Sequence, residues 1–138
     1  MSDLFGAMKI SAYGMKAQSQ RVRVIAENLA NSSTGPTKLG ENPYTRKTIT
    51  FKNQMDSKEG LDLVNVDKIG TDTKQPYVMK YMPEHPAADA KGYVKMPNID
   101  PIIETMDMHE AQRSYDANLG MIDQSRSMIL QTIDLLRR

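Results

Sequence analysis

Neither cysteine nor tryptophan occurs in this 138-residue chain. Without cysteine there can be no disulfide, no thiolate nucleophile and no cysteine-ligated metal. No run approaches the roughly 18 consecutive apolar residues that a membrane-spanning helix requires. The opening Met1-Ser2-Asp3-Leu4-Phe5-Gly6 carries an early acid and lacks the apolar core of a cleavable signal. Neither charge dominates, with 18 Lys and Arg against 17 Asp and Glu. Nucleic-acid binding needs a clustered basic face, and Arg46-Lys47 stands isolated in the middle of the chain. What is abundant is methionine, 11 residues of it. Its flexible, polarizable side chain suits contacts that must tolerate several slightly different neighbours.

The chain reads as three segments: 1–31, 32–98 and 99–138. In the first, Met8, Met15, Val22 and Leu29 recur every seven residues, flanked by Leu4 and Ile25. That spacing predicts one amphipathic helix from about Asp3 to Asn31, roughly 43 Å long at 1.5 Å per residue. Ser11 and Gln18 fall on the same seam and weaken it. The helix is expected to stop in Asn31-Ser32-Ser33-Thr34-Gly35-Pro36, a run of capping and breaking residues.

A second long helix is predicted from Asp100-Pro101 to Arg138, with Asp100 as N-cap and Pro101 at the first helical position. Met108, Tyr115, Ile122, Ile129 and Leu136 form its seam, joined by Leu119 and Ile133. A further stripe of Met121, Met128 and Leu135 widens the apolar face, as contact with more than one partner helix requires. Arg137 and Arg138 give the helix end the charge its dipole prefers. Residues 1–31 carry net charge +2 and residues 99–138 net −3, so the two helices can pair without repulsion.

Prolines, glycines and short β-branched runs concentrate between the helices. Residues 44–51, 61–67 and 77–82 read as three short strands, with Tyr77, Met79 and Tyr81 on one strand face. The predicted fold is therefore mainly α: two long terminal helices paired as a coiled-coil-like unit, with a small β-containing middle domain. The stripes exceed what a single antiparallel pair can cover, so the ends are expected to be marginal until neighbours cover them.

Candidate chemistry is sparse. His85 in Pro83-Glu84-His85-Pro86, with Asp89 beyond it, could contribute to a divalent-metal site, but the prolines favour a solvated turn. His109 beside Glu110 reads as solvated or interfacial. Glu104, Asp107 and Glu110 share a helix face at spacings a hydrolase dyad could use, yet read as a solvated acidic face. No phosphate-binding glycine loop, nucleophile elbow or zinc spacing is present. The residues thus nominate no catalytic, cofactor or metal site.

Three stretches carry a resemblance. They are Glu27-Asn28-Leu29-Ala30-Asn31-Ser32-Ser33-Thr34, residues 81–100 with Gly92, Tyr93, Pro97 and Asn98, and residues 107–118 with Asp107, Met108, Ala111, Arg113, Tyr115, Ala117 and Asn118. Together they resemble flagellar basal-body rod proteins, and at this chain length the proximal rod type. The resemblance implies that the asparagines end the first helix and turn the chain. It also implies a structural subunit exported without signal cleavage through the flagellar type III apparatus. Such a subunit would self-assemble through its terminal helices into a periplasmic tube that transmits motor torque. Its implied partners are copies of itself, other rod proteins, a rod-base adaptor and the export gate, with membrane and peptidoglycan touched only through the basal body. No nucleic acid, small-molecule substrate or cofactor is implied. The residues alone leave open a soluble helical adaptor or chaperone-like binding module, and a cell-wall hydrolase would need a cleft acid that the sequence does not offer.

Overall fold

The computed structural model describes residues 2–137. In chain order the elements are α1 (Ser2–Ala30), β1 (Lys47–Asp56), β2 (Leu61–Thr71), β3 (Tyr77–Tyr81), β4 (Tyr93–Pro97) and α2 (Pro101–Leu136). Helix accounts for 47% and strand for 23%, in two small antiparallel two-stranded sheets, β1–β2 and β3–β4. The expectation of a mainly α, coiled-coil-like protein is therefore corrected to two terminal helices with two hairpins. β1 starts at Lys47 and runs on to Asp56, β2 runs on to Thr71, β3 ends at Tyr81, one residue early, and Tyr93–Pro97 adds a fourth strand. None of the described helices is long and apolar enough to cross a membrane.

The chain divides into two compact units. One comprises Met1–Val22, Thr50–Lys68 and His109–Arg138; the other Arg23–Ile49 and Ile69–Met108. In the first, α1 has two occupied faces. Leu61 lies over Gly6, and Lys9 reaches the β1–β2 turn, bonding Asp56 at 2.7 Å and Glu59 at 2.8 Å. On the other face, Gly14 meets Asn118 and Arg21 meets Glu110. Seven residues forward on α1 thus correspond to eight backward on α2, so the helices run antiparallel.

Small side chains make that second contact. A Cβ on Gly14 would stand 2.9 Å from the Asn118 amide, and Ala111, Ser11 and Ser125 are buried. A coiled coil needs large apolar knobs at both seam positions. On α2, Ala111, Asn118 and Ser125 recur every seven residues four positions before Tyr115, Ile122 and Ile129. One half of the seam is large, the other small and polar, which is why the pair is not a coiled coil. Among the described residues, the apolar core of this unit is limited to Ala17, Leu63 and Ala111.

In the second unit, β3 pairs with β4 from Tyr77 opposite Pro97 to Tyr81 opposite Tyr93. The two tyrosine rings pack edge to face, with centroids 5.4 Å apart. The eleven-residue connection is ordered by Asp89, whose carboxylate accepts the N–H groups of Lys91 and Tyr93. The Tyr93 bond holds the Asp89 carboxyl below its ordinary value. His85 serves the same loop, its Nδ1 accepting the Ala87 N–H at 3.1 Å. Gly92 closes the connection at φ +81°, and a Cβ there would lie 2.9 Å from Tyr81.

Asp100 caps α2, accepting the Ile102 N–H at 2.9 Å. The last turn of α2 carries no basic residue. Arg137 follows the final helical residue, its N–H bonded to the Ile133 carbonyl, while Arg138 lies outside the described residues. Replacing Gly92 by Ala combines a strained backbone with a close contact, and is expected to lower stability by about 2 kcal/mol in a urea titration.

Candidate assembly surface

The best-built polar site in the chain is a junction in the second unit. Asn28, two residues before the end of α1 and 1% exposed, pairs with Lys47 as another peptide would. Its Oδ1 accepts the Lys47 N–H at 2.8 Å and its Nδ2 donates to the Lys47 carbonyl at 2.9 Å. Tyr44 Oη donates to Asn28 Oδ1 at 3.0 Å, and Asn28 Nδ2 also reaches Glu104 Oε2 at 3.4 Å. Glu104, likewise 1% exposed, takes Arg46 Nε on its other oxygen. Alongside, Lys47 Nζ bonds Glu27 at 2.7 Å. That bond holds the Glu27 carboxyl low and raises the Lys47 ammonium.

Two readings of the sequence change here. Glu104 does not belong to a solvated acidic face. It is buried and ion-paired with Arg46, and Arg46-Lys47 is half of a charge network. The asparagines also divide their labour. Asn31 ends the helix, its Nδ2 bonding the Glu27 carbonyl at 2.8 Å and its Oδ1 receiving the Thr34 hydroxyl at 3.2 Å. Asn28 does not turn the chain; it fixes the start of β1. A usable sequence signal existed: Glu104 begins the seven-residue series of Ala111, Asn118 and Ser125, all small or polar.

The predicted apolar seam residues occupy varied environments. Ile25 is buried. Leu4, Met8, Met15, Val22, Leu29, Met108, Tyr115, Ile122 and Ile129 are half-buried, and Leu119, Met128, Ile133 and Leu136 are exposed. Within the first unit, Val22 and Tyr115 line a groove of about 390 Å³ with Ser19, Gln112 and Asp116. Of the motif residues, Ala111 is buried in the helix contact and Asn118 touches the Gly14 position. Pro97 is buried at the end of β4, and Asn98 Nδ2 donates to the Gln75 carbonyl at 3.0 Å. Ala30, Arg113 and Ala117 are exposed, and Asp107 is half-buried.

Exposed apolar surface outweighs the core. Among the described residues, twenty large hydrophobic side chains are exposed, while seven apolar residues are buried and three of those are alanines. On α2 the exposed set gathers at both ends: Ile102, Ile103 and Met106 near the start, and Leu130, Ile133, Leu135 and Leu136 at the finish, the last 79% exposed. The Gly14–Asn118 pairing accounts for the second group. It places Ser2, the first residue of α1, twelve positions before Gly14 and therefore opposite about residue 130 of α2. The final helical residues extend past α1.

Two family models match parts of the chain: "Flagella basal body rod protein" over residues 8–36 and "Flagellar basal body rod FlgEFG protein C-terminal" over residues 90–135. The protein is of the rod class, a structural component of the flagellar basal body.

Whole-chain relatives narrow this further. A "Flagellar basal-body rod protein FlgC" of Agrobacterium fabrum is 49% identical across 99% of this chain and 98% of its own length. Those of Escherichia coli and Borreliella burgdorferi are 38% and 32% identical, across 96% and 97% of this chain and 97% and 98% of their own lengths. The chain belongs to the FlgC family of flagellar basal-body rod proteins. That family is structural and not an enzyme class, and membership implies association with other rod components.

Removing one partner of a buried ion pair strands the other. Glu104→Ala is thus expected to cost about 3 kcal/mol in urea unfolding at neutral pH, and Asn28→Asp, which puts a second carboxylate beside Glu104, should also destabilise. The Lys9 bridge sets a pH dependence. Lys9 holds Asp56 below its ordinary value of 3.8, while Asp56 and Glu59 raise Lys9. The bridge's contribution is then complete above pH 3.8 and fades as pH falls through the lowered Asp56 value. An NMR carboxyl titration should find Asp56 titrating below 3.8, and returning towards it in Lys9→Met.

Proposed function

We propose that this chain assembles through its terminal helices into the tubular drive shaft of the proximal rod, where it carries motor torque. The observation that carries the reading is the excess of exposed over buried apolar side chains among the described residues, ten of the twenty exposed ones lying on α2. Monomeric soluble proteins seldom expose apolar patches of more than a few hundred Å². Segments 1–31 and 99–138 serve as assembly arms and 32–98 as a middle region. The seam from Leu4 to Leu29 and from Met108 to Leu136 supplies the contacts between subunits.

The proposed partners are copies of this chain and other rod proteins, with the rod-base adaptor and the export gate met on the way. Export proceeds through the flagellar type III apparatus without cleavage, into the periplasmic part of the basal body. The chain carries load and catalyses no reaction.

Ile133→Asp separates folding from assembly, because that side chain is already exposed in the isolated subunit. The variant is expected to melt within about 0.5 kcal/mol of the parent. It should be secreted normally, yet be absent from purified basal bodies and leave cells non-motile. Normal swimming would overturn the proposal.

A further inference from the structure

All the sulfur in this chain is thioether. With no cysteine to react first, the 11 methionines are the side chains that a two-electron oxidant attacks. Among the described residues, Met55, Met79, Met106, Met121 and Met128 are exposed. Met8, Met15, Met82, Met96 and Met108 are half-buried.

Two of the exposed methionines share one surface. Met121 and Met128 stand three residues after Asn118 and Ser125, so they flank the helix contact of the first unit without being covered by it. Ala117, Met121, Gln124, Met128, Gln131 and Leu135, alternately four and three residues apart, make a single stripe on α2, and all six are exposed. At 1.5 Å per residue the stripe is about 27 Å long. The charged residues of that stretch, Asp123, Arg126 and Asp134, fall on other faces of the helix. The face that a surface helix keeps in water ordinarily carries its charges. This one carries none, and its two largest central side chains are thioethers.

We propose that Met121 and Met128 form a modification site, and that their oxidation to sulfoxides bars a free subunit from assembly. This rests on the rod reading, in which neighbours cover α2, and adds a control to it. Hydrogen peroxide transfers one oxygen to each thioether: the O–O bond breaks, an S–O bond forms, sulfur gives up two electrons and water leaves. A polarizable apolar group becomes a strong acceptor, which must then find a donor in the contact or stay in water. The chain holds no thiol to reverse the change. Reduction takes two thiols from an outside reductant, which leave as a disulfide while the oxygen leaves as water. Once a subunit is docked, the same sulfurs are covered, so the site acts on free subunits alone.

The purified chain is first treated with graded hydrogen peroxide and mapped by peptide mass spectrometry. Met121 and Met128 should be oxidised before Met8 and Met15, and the reverse order overturns the proposal. The native chain and a Met121→Leu/Met128→Leu chain, differently tagged, are then co-expressed in a strain lacking the chromosomal copy. During rod assembly the cells receive a peroxide pulse strong enough to oxidise both methionines in the unassembled pool. Without peroxide the two chains should enter basal bodies equally; with it the native chain should fall about tenfold relative to the variant. General toxicity cancels because both chains share one cell. An unchanged ratio overturns the proposal and leaves rod membership intact. Should the leucine variant fail to enter untreated basal bodies, Met121→Gln/Met128→Gln decides, since it makes the stripe more polar without an oxidant. It should melt like the parent and be excluded, and its normal incorporation overturns the proposal. Absence of the unaltered chain from untreated basal bodies would instead overturn the rod reading itself.

Discussion

One amide side chain organises the second unit. Asn28 must satisfy both polar groups of Lys47 while lying almost wholly out of water. An unpaired buried amide costs on the order of 1–3 kcal/mol, so α1, the start of β1 and Glu104 are mutually constrained. Glu104 in turn needs Arg46, because a lone buried carboxylate is more costly still. Helix, strand and helix are therefore joined by hydrogen-bond geometry, which has one good solution, and only secondarily by apolar burial, which tolerates many.

This division of labour follows from how the apolar residues are spent. Among the described residues, the large apolar side chains that are buried are Val24, Ile25 and Val94 in the second unit and Leu63 in the first, and twenty others are exposed. A protein that had to be stable alone would reverse that allocation. Here small and polar residues make many of the contacts within each unit, and most of the large apolar ones are exposed. The helix contact shows the same logic. Gly14 within α1 costs about 1 kcal/mol relative to alanine, yet it admits the Asn118 amide where any Cβ would collide.

Much of this was legible beforehand. The two helices and their breakpoints followed from seven-residue periodicity, the Asn31–Pro36 stop and the Asp100-Pro101 start. The fold class did not follow, because the strands extend through polar residues. For β1 the strand-like run was read over 44–51, whereas the strand begins at Lys47 and continues through Lys52 to Met55 with exposed side chains. Residues 93–97 stood in plain view but were read as motif, since five residues containing Lys95 and Pro97 show little periodicity. The polar junction escaped because a buried Glu and an exposed one look alike in a single sequence. Only its seven-residue spacing to Ala111 and Asn118 distinguished Glu104 from its acidic neighbours.

Asn28 has one more effect. An open strand edge is a template on which other chains can add, and a subunit carrying this much exposed apolar surface is vulnerable to such addition before it reaches its place. By occupying the N–H and C=O of Lys47 together, the Asn28 side chain acts as a strand one residue long. It seals that end of the β1 edge against intruding chains and pins the hairpin against slipping, since a shift of one residue would turn every side chain to the opposite face.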